Sequence, residues 1–523
     1  MKKLSLFCSL LLLFFCHPLW ANILSPYNVR DYGAVGDGKT LDTEAINQAI
    51  EAAAAAGGGT VFFPAGKYLS YSIRLKSNIS LFLDHGSTLI AAGEGDKGRY
   101  DDPEAGPGNK YQDFGHSHWK NSLIWGIGLD NVAILGTGMI DGKGLSRGFY
   151  STNKHWENIG VDARPYMWDG GANKAIALKL CKNVTLKDFT IVRGGHFGIL
   201  ATGVDNLTID NLKMDTNRDG MDIDCCRHVT ISNCKINTPN DDAICLKSSY
   251  ALGEARATED VVITNCQVSG YDLGTFIDGT YQTEEADQVP DQEGPTGRIK
   301  MGTESNGGFK NITISNCVFK HCRGLALETV DGALLEDIVI NNITMRDVTN
   351  SPFFLRLGAR MRGPDNAKVG RLRRVNISNV NVYNADSRFS SIISGLPGHP
   401  IEEVSLSNIR IWYRPLPEEE EKNIQQEVPE YKEAYPEPQK FGVLPSYGFF
   451  IRHVRSIAMH NVRVHVLGEE RRTAIYFGDV IGAELRDITL DVPSTGDKVV
   501  SENSEHLDIH YSKEAKGREK KNE

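Results

Sequence analysis

The chain has 523 residues, 40% of them hydrophobic, and a formal net charge of −10. That is enough apolar material for a large core, and after the N-terminus no apolar run is long enough to span a membrane. The acidic balance argues against nucleic acid and anionic membrane surfaces as partners.

Residues 1–21 read as a secretory signal. Lys2 and Lys3 form a basic n-region, Leu4 to Cys16 an apolar stretch, and Ala21 a final residue before cleavage. The expectation is export, periplasmic or fully secreted, with no membrane insertion once the signal is removed. Next, Asp42–Thr43 predicts the start of a helix running through Ala45, Ile46, Ala49 and Ile50 to Ala56, ended by Gly57–Gly58–Gly59. Such a helix would close the open end of a solenoid, where strand edges are otherwise bare.

From about residue 130 a short phrase recurs: an apolar–any–apolar triplet, a polar residue, usually Asn, then another apolar residue. It appears as Leu207-Thr208-Ile209-Asp210-Asn211-Leu212 and as Val229-Thr230-Ile231-Ser232-Asn233-Cys234, and it returns six more times up to Ile457–Val462. The step from Ile209 to Ile231 is 22 residues, and later steps are lengthened as loops would lengthen them. A period of this size with short alternating strands predicts a solenoid, because each unit buries its apolar face only against its neighbours. A β-propeller needs four strands per blade over a longer period and fits poorly.

The expected fold is all-β, a single-stranded parallel β-helix with an N-terminal capping helix, occupying residues 22–512 as one domain. Asn211, Asn233, Asn265, Asn316, Asn342, Asn379, Asn408 and Asn461 hold one corner, where Asn suits a left-handed turn. Cys234, Cys266 and Cys317 follow three of them as an interior stack would, so the eight cysteines after the signal are expected to be buried thiols. No CxxC pair or HExxH motif suggests a metal, and no cofactor is expected. Residues 513–523, rich in Lys and Glu, read as a disordered tail.

The densest carboxylate cluster is Asn217-Arg218-Asp219-Gly220-Met221-Asp222-Ile223-Asp224, followed one coil later by Asn240-Asp241-Asp242-Ala243-Ile244-Cys245-Leu246-Lys247. Adjacent rungs place these carboxylates about 5 Å apart along the solenoid. Crowding of that kind raises at least one pKa and keeps a proton near neutrality. Glycoside hydrolysis needs that combination: a protonated acid for the leaving oxygen and a carboxylate to activate water or attack. The bland alternative is an acidic patch that solvates a turn or binds calcium.

Asn217-Arg218-Asp219-Gly220 resembles the Asn-Thr-Asp-Gly motif of glycoside hydrolase family 28, the polygalacturonases, and Asn240-Asp241-Asp242 resembles its Asp-Asp motif. Tyr32-Gly33-Ala34-Val35-Gly36-Asp37-Gly38 and Gly59-Thr60-Val61-Phe62-Phe63-Pro64-Ala65-Gly66 are similar to the opening of pectin-active β-helices. The resemblance covers roughly residues 27–410. It implies a right-handed, pectin-lyase-like β-helix and an inverting, metal-free hydrolase of acidic pectic glycan. By the same resemblance Asp241 is the general acid, and Asp219 and Asp242 hold and deprotonate the attacking water.

Two departures qualify this. Polygalacturonases carry Gly-His-Gly on the coil after Asp-Asp and Arg-Ile-Lys on the next. Here Arg298-Ile299-Lys300 is followed by Gly302-Thr303-Glu304-Ser305-Asn306-Gly307-Gly308, which sets Thr296 near the histidine position and Ala326-Leu327-Glu328 at the Arg-Ile-Lys position. A Glu there would repel a uronate. The expected leaving-side sugar is therefore neutral, favouring a galacturonosyl–rhamnose linkage over homogalacturonan.

Lys247, Arg298 and Lys300 are the candidate cations for the uronate. His196 and Asp222 are further candidates to touch the sugar, while Arg356, Arg360 and Arg362 either line a cleft or belong to an ordinary loop. Tyr271 and Tyr281 stack on sugars or merely pack the insertion at 271–295. That insertion and segment 88–125 are candidates to wall off one end of the cleft. A monomer is expected. The competing readings are a polysaccharide lyase on the same fold, which would want a basic proton acceptor and usually calcium, and a non-catalytic glycan-binding solenoid.

Overall fold

Val184, Leu207, Val229, Val261, Ile312, Ile338, Val375, Val404 and Ile457 stand in one column, each paired in parallel with the next. The computed structural model describes residues 26–104, 111, 116–146, 169–284, 294–491 and 497–512. It is the expected right-handed parallel β-helix. Residues 1–21 and 513–523 lie outside the described residues. No described helix is long and apolar enough to cross a membrane.

The alternation dictates the core. In Leu207–Ile209 and its equivalents the apolar residues turn inward and the intervening Thr or Val faces solvent, as a period of two requires. One hydrophobic cluster then runs without a break from Val29 to Leu490. The corner asparagines all adopt a left-handed backbone, with φ between 51° and 58°. From Asn316 onward their amides form a chain: Asn342 donates to Asn316 (3.1 Å), Asn379 to Asn342 (3.2 Å), Asn408 to Asn379 (2.9 Å) and Asn461 to Asn408 (2.9 Å). A second ladder, Asn78–Asn131–Asn183–Asn206, stands at another corner. All eight cysteines after residue 180 are buried free thiols.

The capping helix α1 (Thr43–Ala55) packs Ile46, Ala49, Ile50 and Ala53 on the first rungs. Asp42 precedes it, yet its carboxylate does not cap the helix. It accepts instead from the backbone of Val35 (2.6 Å) and Gly36 (3.0 Å), fixing the preceding turn.

The sheet that carries the acidic motifs runs through β1 (Phe197–Thr202), β2 (Asp219–Asp224), β3 (Ile244–Ser248), β4 (Ile299–Ser305), β5 (Leu325–Thr329), β6 (Phe353–Leu357) and β7 (Ser391–Ser394). Each is parallel to the next. Two segments lie across its outer face. Residues 116–119 cover the β1 side, with Trp119 packed on Phe197 and Leu200. Residues 428–441 cover the other side, with Phe441 packed on Ala326, Phe354 and Ile392.

Candidate active site

Asp219 opens β2, and Asp241 and Asp242 lie in the turn just before β3. Gly220 N–H donates to Asp242 O (2.9 Å), which sets Asp219 and Asp242 level on neighbouring rungs. In this sheet the pairing Met221↔Ile244 makes the step 23 residues, one more than the 22 read from the Ile209 column. The amides of Asn217 and Asn240 clamp the two turns together at 2.6 Å.

The surroundings treat the three aspartates differently. Burial, reinforced by the charges of Asp222 and Asp241, pushes Asp219 well above the usual carboxylate range. Burial also raises Asp241, against the pull of Arg218, whose guanidinium lies 2.7 Å away. Burial alone would raise Asp242 too, but Arg298 and Lys300 override it and hold that carboxyl at about 2. Arg298 Nε donates to Asp242 Oδ1 at 2.7 Å, and Lys300 Nζ stands 3.5 Å from Oδ2. One carboxylate is thus held in its charged form beside two whose pKa values burial raises. Asp241 alone of the three has a half-buried side chain, 24% exposed.

Lys300 pairs with Cys245 on one side and Ala326 on the other, so Arg298–Lys300 sits on the coil directly after Asp241–Asp242, and Glu328 falls one coil further. That is the register expected from the sequence. The expected repulsion by Glu328 needs correcting, because Glu328 is fully buried and cannot meet a substrate directly. It lies 3.6 Å from Lys300, and burial lifts its carboxyl to about 7 against the pull of Lys300 and Arg298. Its effect is to share the charge of Lys300.

Lys247 and Asp222 form a second cluster beneath the site. Lys247 Nζ stands 3.1 Å from Asp222, 3.3 Å from Glu304 and 2.6 Å from Nε2 of His116. That same nitrogen of His116 is 2.8 Å from Asp222. Asp222 is 0% exposed and Lys247 6%, close to the 4% of Asp219, and the two pair with each other. His196 is buried against Phe197, and a ring nitrogen lies within 4.8 Å of oxygens from Asp219 and Asp241. The three groups converge closely enough to share one small polar partner.

The basic trio divides. Arg356 holds the carbonyls of Glu430 and Tyr431 and so anchors the covering segment 428–441. Arg360 pairs with Asp331, and Arg360 and Arg362 approach Glu304 to within 4.0 and 3.9 Å. Tyr271 and Tyr281 pack on each other, and Tyr271 stacks on His321, away from the aspartates. Of the two candidate walls, residues 116–119 from segment 88–125 lie on the site face.

Three participants carry no signal in the sequence: His116, Tyr435 and Glu437. Arg218 was legible, since it sits inside the first aspartate motif. Glu437 accepts from Arg298 (2.8 Å) and Arg323 (2.6 Å), while Tyr435, 47% exposed, faces Lys300 with its ring centre 5.4 Å from Nζ. Both come from a long segment with no repeat to place it.

Residues 27–245 match the family model described as rhamnogalacturonase A/epimerase, pectate lyase-like. A probable polygalacturonase of Vitis vinifera is 26% identical over 60% of this chain and 68% of its own length. Over this span the chain is similar to polygalacturonases. It is also 28% identical to a polygalacturonase of Juniperus ashei over 55% of this chain, and it spans about half, 54%, of that relative. A solved family 28 exopolygalacturonase from Yersinia enterocolitica aligns over 90% of this chain and 79% of its own, with a TM-score of 0.63 at 20% identity, a likeness of fold.

Proposed function

We propose that this polygalacturonase-like glycoside hydrolase cleaves a galacturonosyl linkage in an acidic pectic polysaccharide by single displacement, with inversion. The observation that carries the reading is the divided state of the aspartates. Asp242, held ionised by Arg298 and Lys300, takes the proton of the attacking water. Asp219 and His196 orient that water. Asp241, raised by burial and the most exposed of the three, gives its proton to the leaving oxygen. No covalent intermediate or metal is required for these roles.

The favoured linkage is galacturonosyl–rhamnose. Arg298 is committed to Asp242 and Glu437, and Lys300 lies between Asp242 and Glu328, so neither charge is spare for a second uronate on the leaving side. A homogalacturonan reading rests on one specific feature: Lys300 makes no contact with either carboxylate closer than 3.5 Å, which leaves it able to turn toward a substrate carboxylate. The coverings at 116–119 and 428–441 favour a pocket that admits a chain end over an open groove. The protein would act outside the cytoplasm as a monomer.

Product analysis on rhamnogalacturonan backbone and polygalacturonate in parallel tests the reading. Saturated products from the former alone support the neutral leaving side, and products from polygalacturonate alone shift the assignment to homogalacturonan. Unsaturated products would mean elimination chemistry, and no products from either would overturn the enzymatic reading.

A further inference from the structure

The third sheet of the helix, made of the short strands after the asparagine corner, carries a basic outer face. Eight consecutive rungs stack there in the column Lys213, Lys235, Gln267, Val318, Thr344, Asn381, Arg410 and Arg463. The second outward column of the same rungs includes Lys320, Arg346, Tyr383, Trp412 and His465. Six of these outward side chains are cations. One carboxylate occurs in the two columns, Asp215, and it is 1% exposed and turned into bonds with Asn237 and the backbone of Ile277. The two columns themselves present no exposed acid on a chain of net charge −10, and the acids at their margin, Asp347 and Asp491, pair with Lys320, Arg346 and His465.

Two pairs within the strip work against folding. Lys213 stands directly opposite Lys235, and Arg410 opposite Arg463, on adjacent rungs. All four are exposed, and none has a carboxylate partner among the described residues. Like charges directly opposite on a sheet destabilise it. Lys320 and Arg346, by contrast, share Asp347.

The insertion after Gly270 overhangs the first part of the strip. Its short helix α2 (Thr275–Asp278) brings Phe276 and Ile277 to the same cavity as the lysines. A cavity of about 560 Å³ remains beneath, lined among others by Lys213, Lys235, Lys320, Arg346 and Tyr281. The acid of this helix, Asp278, is turned onto its own Thr280.

We propose that this strip is a second binding track, separate from the aspartate cleft, for an extended uronate-bearing glycan. The inference rests on the functional reading above, which makes an acidic polysaccharide the substrate. The seven steps from Lys213 to Arg463 span roughly 34 Å at about 4.8 Å per rung, the length of several sugar units. Carboxylates along the chain would offset the two like-charge pairs. The track holds the polymer while the cleft works on its end, and short oligosaccharides gain nothing from it.

The test is retention of the full chain by gels containing polygalacturonate, rhamnogalacturonan backbone, neutral galactan or duplex DNA, at low and high salt. It compares the wild type with the variant Lys213→Ala/Lys235→Ala/Arg410→Ala/Arg463→Ala. The wild type is expected to be retarded by the two uronate glycans, less so at high salt, with affinity falling about tenfold in the variant. Kinetics on a short oligosaccharide should not change, which also shows that the variant is folded. Equal retention of variant and wild type, equal retention by galactan, or stronger retention by DNA would each overturn the proposal. Retention is read without turnover, so absence of hydrolysis on every pectic substrate would sink the functional reading by a separate result.

Discussion

Arg298 donates to Asp242 at 2.7 Å and to Glu437 at 2.8 Å, so one guanidinium joins the aspartate rung to a segment 139 residues further along the chain. Removing it by Arg298→Gln leaves Asp242 buried with the weaker support of Lys300. The Asp242 pKa should climb from about 2, and the acidic limb of kcat/KM should move to higher pH. A depressed carboxylate pKa stabilises the fold above its unfolded value and loses that contribution as pH falls through the folded value. The variant should therefore lose stability at neutral pH, by about 3–5 kcal/mol for a broken buried pair. A pH–rate profile with an unmoved acidic limb would remove Asp242 from the base role.

Asp241→Asn removes the proposed acid while keeping the shape. Hydrolysis should fall about 10²–10⁴-fold, the usual worth of general acid–base catalysis, with binding of the same oligosaccharide retained. Calorimetry on the variant checks the second half. Full activity would transfer the acid role to Asp219, whose carboxyl is raised well above the usual range by burial and by its neighbours' charges.

His453 bridges Glu430 of the covering segment (3.0 Å) and Asp479 of the sheet (2.7 Å). Burial would lower its pKa, but the hydrogen bonds to those two carboxylates raise it above 6.5. The bridge then contributes fully below the unfolded value of about 6.5 and is lost as pH rises through the higher folded value. Proteolysis within 414–445 should accelerate on going from mildly acidic to mildly alkaline pH. In His453→Gln that pH dependence should vanish.

The asparagine corner makes a mutational prediction of its own. Asn342 sits at φ 55°, donates to Asn316 and accepts from Asn379. Asn342→Ala should cost about 1–2 kcal/mol for the left-handed backbone, in addition to the broken amide chain, while Asn342→Gly should recover the backbone part. Urea denaturation of the two variants separates these contributions. Equal midpoints would show that the amide chain dominates.

What could be read in the sequence was what the repeat controls. The asparagine column, the cysteine stack and the two aspartate motifs recur at rung spacing, so their positions in space follow from their positions in the chain. The register that sets Glu328 one coil beyond Lys300 was legible for the same reason. Depth was not. Asp222 and Lys247 look identical in sequence whether they face a sugar or each other, and the structure pairs them with each other. Loops escape the periodic argument entirely: His116 reaches the site from one long excursion and Glu437 from another, with no local pattern to announce either.

The covering segment also sets an order of events. Glu437 and Tyr435 arrive on the site more than a hundred residues after Arg298 and Lys300 have taken their rungs. A nascent or truncated chain ending before residue 428 would stack its aspartates correctly and still leave Arg298 and Arg323 facing water without their shared carboxylate. The aspartate motifs are laid down early, but the environment that tunes them is finished only when the last third of the polypeptide folds back. Assembly of the rungs and competence of the site are therefore separate milestones in the life of this chain.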